Sequence, residues 1–181
     1  MKHGIPRSRS TDRRYYGVFE GIVSNVDDPE NEGRVKVKYP WFNEDMESEW
    51  SPVAQFFAGS DHGSFFIPEL KSLVLCCCRH GDLRKPVIIG GMYNGKDKPH
   101  SDHVRKRQIA SERGHKLTMI DSKGDSAGAL VLEDASGCKI TLSSTGHVVI
   151  KACGALTFDA PIITFRGKGY TRVLTPNNNP V

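Results

Sequence analysis

The sequence predicts an all-β protein in two parts, a small closed barrel followed by a repeating β structure. Three observations predict it. No long window of the 181 residues repeats apolar side chains at helical spacing. Short alternating segments lie instead between clusters of Gly, Asp, Asn and Pro, and 18 Gly with 10 Pro make turns frequent. In the C-terminal third, apolar residues recur every eight positions.

The elements follow in order. Residues 1–14, "MKHGIPRSRSTDRR", are basic and hold no apolar core, so they read as a flexible solvated arm rather than a secretory signal. Residues 15–95 read as the barrel. "YYGVFEGIVSNV" alternates and stops at the turn cluster "DDPENEG". "RVKVKYPW" then sets Val35, Val37 and Tyr39 on one face and Arg34, Lys36 and Lys38 on the other. "EWSPVAQFF" is expected as a third strand, with an edge or bulge at Pro52, which has no N–H for a ladder. "GSFFIPELKSLVLCCC" supplies one or two more, and "KPVIIGGMYNG" closes the set. Such a set of short strands with a Gly-rich closure suits an OB-fold.

Three consecutive cysteines end one of these strands. Neighbouring strand residues point to opposite faces, so Cys76 and Cys78 share one face and Cys77 takes the other. Zinc sites separate paired cysteines by a few residues so that a turn folds both thiolates onto one ion. A CCC run cannot do this locally, and neither Cys138 nor Cys153 sits in a CxxC. The run is expected to pack as small apolar side chains.

Residues 96–115 are polar, lack alternation and read as a linker or neck. Their histidines, His100, His103 and His115, have no acidic or Cys partner at a ligand spacing and read as solvent-facing.

Residues 116–170 carry the repeat. One series is Leu132, Ile140, Val148 and Leu156; a second is Leu142, Ile150 and Phe158; Gly146 and Gly154 are also eight apart. Each unit is a short strand with one apolar face and a small-residue corner. Such a unit cannot bury its face alone. Four repeats are few for a capped single-chain solenoid. Three chains sharing one core is the economical solution: an intertwined triangular β-helix, a prism, with these seven residues as its trimer core. The competing arrangement is a plain antiparallel meander. Residues 171–181 break the period and read as a tip or tail.

The formal charge of +4 does not by itself imply nucleic acid. No stretch reaches the roughly 20 apolar residues of a membrane span, so synthesis in the cytoplasm is expected. No catalytic constellation is expected: Asp27, Asp28, Glu30 and Glu32 sit in a Pro/Gly turn, and no Gly-x-Ser-x-Gly or phosphate loop is present. No cofactor or metal site is expected. One His or Cys per chain would suffice for an ion on a three-fold axis, but no motif calls for one.

"GIVSNVDDPENEGRVKVKYPW", "ESEWSPVAQFFAG", "GSFFIPELKSLVL" and "HGDLRKPVIIGGMYNG" together resemble the OB-fold module of contractile-tail spike proteins. That family includes the phage baseplate assembly protein V, the central spikes of contractile tails and pyocins, and the VgrG spikes of type VI secretion. "ERGHKLTMIDSKG" and the repeats after it resemble the family's neck and β-helix. The resemblance runs from about residue 15 to 166. It implies a homotrimer whose barrels dock on a baseplate hub protein at the end of the tail tube. It implies a rigid spike that pierces the target envelope, assembled into a virion or other contractile particle. The larger members' lysozyme-like and hub domains have no counterpart here, so a separate hub protein is implied. The His-x-His apex motif of some short spikes is also missing, so a PAAR-type tip protein is expected. Under this resemblance the CCC run is barrel packing.

The alternative function is single-stranded nucleic-acid binding by the OB-fold, with Tyr39, Trp41, Phe42 and Trp50 as stacking platforms beside Lys36 and Lys38. It leaves the repeats unexplained.

Overall fold

The computed structural model describes residues 14–101, 103–122 and 128–174. The expected arm, but for Arg14, and the last seven residues of the expected tip lie outside the described residues. The chain divides into two compact units, residues 1–98 and 99–181.

The first unit is built on one antiparallel sheet. Its elements are β1 (Val18–Asn25), β2 (Lys36–Tyr39), β3 (Asn43–Glu47), the two-residue pair β4 (Ala58–Gly59) and β5 (His62–Gly63), β6 (Leu73–Cys78) and β7 (Pro86–Gly91). The order across the sheet is β3-β2-β1-β6-β7. Register shifts at Val23/Asn25, Lys38/Tyr39 and Leu75/Cys76 add twist and bend the sheet.

The third strand expected from "EWSPVAQFF" is not formed. The ladder strand is Asn43–Glu47 instead. Residues 51–53 make two isolated bridges, antiparallel from Ser51 to Val35 and parallel from Val53 to Ile88. They tie the β2 side of the sheet to its β7 edge and close the barrel. Pro52 explains why this is a clasp rather than a strand: it can only accept, and its carbonyl takes the Ile88 N–H at 2.9 Å.

The core is Val23, Val35, Val37, Tyr39, Val74, Cys76, Cys78, Leu83 and Ile88. The expected inward face of β2 is thus fully buried. Cys76 and Cys78 point inward and Cys77 is exposed, as the period of two requires. Small side chains are needed there: a Cβ on Gly21 would lie 3.1 Å from Cys76 Sγ. Burial pushes the Cys76 thiol up to about 12, with Cys78 adding to it. Cys78 is raised as well, by burial. Both remain unreactive thiols.

The second unit is a five-stranded antiparallel sheet of β8 (Lys106–Ala110), β9 (Lys116–Ile120), β10 (Ala129–Glu133), β11 (Lys139–Ser143) and β12 (Val148–Lys151), followed by the hairpin β13 (Ile163–Gly167) and β14 (Tyr170–Leu174). The segment 96–115, read as a linker, therefore contains the edge strand β8. Its alternation is hidden because Lys106, Gln108 and Ala110 share one face while only Ile109 is large and apolar on the other.

Three tight turns repeat one design. Ser111–Gly114, Asp134–Gly137 and Ser143–Gly146 each close with the glycine N–H on the first residue's carbonyl, at 3.0, 3.1 and 3.0 Å. Gly114, Gly137 and Gly146 sit at φ 93°, 90° and 84°, a conformation that favours glycine. Gly146 is thus a corner, as expected, but Gly154 lies in a bend after β12. Within one chain the strands pair as neighbours in an antiparallel meander. Leu156 and Phe158, expected on a further strand, lie in residues 152–162, which form none.

Candidate assembly surfaces

Cross-strand register brings the repeat residues onto one face. One row runs Ile109, Leu117, Leu132, Ile140, Ile150; the next runs Arg107, Met119, Leu130, Leu142, Val148. Nine of these ten positions are apolar. Five of the seven expected core residues, Leu132, Ile140, Leu142, Val148 and Ile150, share this face. Exposure in the single chain runs from 39% for Ile140 to 66% for Val148. Leu156 and Phe158 are exposed too. An open trough of about 580 Å³ follows the face between Ile109 and Leu156. The opposite face carries Gln108, Thr118, Val131 and Thr141 in one row. Thr118 accepts from Gln108 Nε2 at 2.9 Å, while Gln108 Oε1 is buried with no partner among the described residues. Exposed apolar area of the extent seen on the repeat face marks an interaction surface.

The barrel offers a second surface. The loop carrying β4 and β5 displays Phe56, Phe57, Phe65, Phe66 and Leu70, with Phe56 87% exposed. The loop is held from within by side-chain bonds to its backbone. Gln55 accepts from the Phe66 N–H at 3.0 Å and donates to the Phe66 carbonyl at 3.2 Å. Ser64 Oγ accepts from the Phe56 N–H at 3.0 Å. Phe56 and Phe66 meet edge to face, with ring centres 5.9 Å apart. Sequence reasoning placed both Phe-Phe pairs in strands and missed this display. A period of two would turn only one Phe of each pair out of the core, whereas all four are exposed.

The acidic turn is structural. The Asp28 carboxylate accepts amides from Glu30, Glu32 and Arg34 and two bonds from the Arg34 guanidinium, at 3.0 and 2.7 Å. The Arg34 guanidinium first, then those amides, hold its carboxyl well below the usual carboxylate range. A carboxylate so engaged is poorly placed to act as a base.

Of the aromatics in the nucleic-acid reading, Tyr39, Trp41 and Phe42 pack against one another. Tyr39 is fully buried and its hydroxyl donates to the Leu83 carbonyl at 3.0 Å. Trp41 stacks on Phe19 at 5.4 Å and donates its indole N–H to the Glu20 carbonyl at 2.8 Å. Lys36 pairs with Glu47 at 3.2 Å and lies over the Trp50 ring at 5.3 Å. Lys36 and Trp50 are thus already partnered, and this reading is not favoured.

Among the described residues, no group of three or more His, Cys, Asp or Glu side chains is arranged to hold a metal, and no helix is long and apolar enough to cross a membrane. His103 Nδ1 accepts the Arg105 N–H at 3.1 Å, and His115 Nδ1 the Ala135 N–H at 3.4 Å.

Residues 19–93 match the family model for the type VI secretion system/phage-baseplate injector OB domain. The type VI secretion system spike protein VgrG2a of Pseudomonas aeruginosa is 30% identical over 111 residues, 55% of this chain and 13% of that protein. The spike protein VgrG3 of Vibrio cholerae is 32% identical over 115 residues, 60% of this chain and 10% of that protein. A third relative, the actin cross-linking toxin VgrG1 of Vibrio cholerae, is 28% identical over 130 residues, 64% of this chain and 11% of that protein. The chain thus spans only a small part of the length of these relatives.

Proposed function

We propose that the chain, whose residues 19–93 match the injector OB domain, is the central spike of a contractile injection machine in the VgrG-like baseplate and spike family. Three copies join through the apolar face of residues 99–181. The joined sheets form a triangular β-helix with Leu132, Ile140, Leu142, Val148, Ile150, Leu156 and Phe158 turned to its axis. A strand that pairs within one chain can pair between chains without changing which side chains face inward, because the period of two fixes the faces. Closing the prism also removes free sheet edges. The barrels dock on the baseplate hub through the exposed Phe56–Leu70 loop, a PAAR-type tip protein caps the far end, and the assembled spike pierces the target envelope. The role is mechanical, with no bond made or broken.

The single observation that carries this reading is the two-row apolar face on the same chain as the injector OB domain. Buried as a shared core, it supplies what the repeats lack alone. The test is to tag the chain in its source cell, purify contractile particles and locate the tag by electron microscopy. The tag is expected at the baseplate end of every particle. Complete particles that lack the chain would overturn the reading.

A further inference from the structure

Two cysteines of the second unit meet although they are 15 residues apart in sequence. Cys138 precedes β11 and Cys153 follows β12, so they flank the last ladder pair, Lys139 and Lys151. The Cys153 N–H donates to Cys138 Sγ at 3.3 Å, and the Cys153 thiol donates to the Ser136 carbonyl at 3.3 Å. Ser136 Oγ donates to Cys138 Sγ at 3.5 Å. The turn beneath is pinned by Asp134, whose carboxylate accepts from the Cys138 N–H at 2.7 Å and from the Ser136 N–H at 3.1 Å. Two free thiols are thus held together by a fixed hairpin corner, and Cys153 is exposed.

We propose that Cys138 and Cys153 form a redox pair that closes to an intrachain disulfide by exchange with a low-molecular-weight or protein disulfide. This goes beyond the spike reading and is argued from the β11–β12 pairing within one chain. Cys138 attacks first. The Ser136 hydroxyl and the Cys153 amide hold its thiol below the ordinary range, while the contact with Cys138 pushes Cys153 up. The Cys138 thiolate attacks one sulfur of the incoming disulfide, forming a mixed disulfide and releasing one thiolate. Cys153 then loses its proton and attacks Cys138 Sγ, releasing the second thiolate. The two cysteines give up two electrons and two protons, and the incoming disulfide becomes two thiols. A cytosolic glutathione pool keeps the pair open, and an oxidising compartment closes it. Closure staples the β11–β12 hairpin.

The remaining cysteines provide the comparison. Cys76 and Cys78 are buried. Cys77 is exposed but stands opposite Val18 and Val87, with no thiol across from it.

The test uses the full chain, reduced and then incubated with oxidised glutathione, acid-quenched and alkylated. Intact mass and peptide mapping read the products. The expected result is loss of alkylation at Cys138 and Cys153 with a linked peptide pair, while Cys77 keeps a bound glutathione. Cys153→Ser should leave a glutathione stranded on Cys138, and Cys138→Ser one on Cys153, each in a chain whose circular dichroism matches the parent. Stable glutathione on both cysteines of the parent chain, full alkylation of both, or linkage between chains would overturn the proposal.

Discussion

Replacing Ile150 by Asp tests the apolar face at its centre. Ile150 stands opposite Ile140 and keeps 48% of its surface exposed in one chain. Complete burial of such a side chain contributes about 1.5–3 kcal/mol, so covering the exposed half contributes roughly 0.7–1.5 kcal/mol per chain. Three chains lose about 2–4 kcal/mol when it is removed. Asp adds a second cost, because an unpaired carboxylate in a closed core costs several kcal/mol per ion. The total is on the order of 10 kcal/mol per trimer, or about seven decades in the association constant. Ile150→Ala loses only the apolar part, about two decades. Lys151→Glu, on the other face, should change little. Sedimentation velocity across a concentration series reads the assembly, and circular dichroism checks that each chain keeps its strands. The Ile150→Asp chain is expected to be monomeric, the Ile150→Ala chain to dissociate on dilution, and the Lys151→Glu chain to remain trimeric. An Ile150→Asp chain that assembles like the parent would refute the assignment of this face to the axis.

Three other predictions concern the barrel. Cys76→Leu should destabilise the chain by about 1–3 kcal/mol through overpacking against Gly21, read by urea unfolding; an unchanged midpoint would mean the site has spare room. The lowered folded value of Asp28 means that its contribution is full above the ordinary carboxylate range, near roughly pH 4, and is lost as pH falls through the folded value. Asp28→Asn should therefore lower stability at neutral pH and flatten the decline in acid, and a parallel acid profile for parent and variant would count against it. Phe56→Asp and Phe66→Asp should leave thermal unfolding of the chain unchanged yet abolish retention of the hub protein in a pull-down; undiminished retention would assign docking elsewhere.

The alternation of β2 and the CCC run were legible because the two-residue period alone decides which side chains enter the core. Val35, Val37, Tyr39, Cys76 and Cys78 all follow it. The apolar face of the repeats was legible for the same reason: Leu132 lies directly across from Ile140, eight residues on, because a tight glycine turn joins their strands. What sequence could not supply was pairing. Residues 51–53 read as a strand by composition but have only two bridge partners, since Pro52 cannot donate. Strand β8 was hidden among charged residues, because Ile109 is its one large apolar side chain. The Phe-Phe display was missed because an apolar doublet has the composition of a strand core whichever way its two side chains face. The contact between Cys138 and Cys153 follows from how residues 152–153 fold back over the β10–β11 turn, a loop path that no periodicity encodes.

The most direct test of the central claim is the mass of the unmodified chain in solution, measured by light scattering on a size-exclusion column. A shared apolar core predicts three times the 20.0 kDa of one chain, held down to low concentration. A monomer of 20.0 kDa at all concentrations would contradict it.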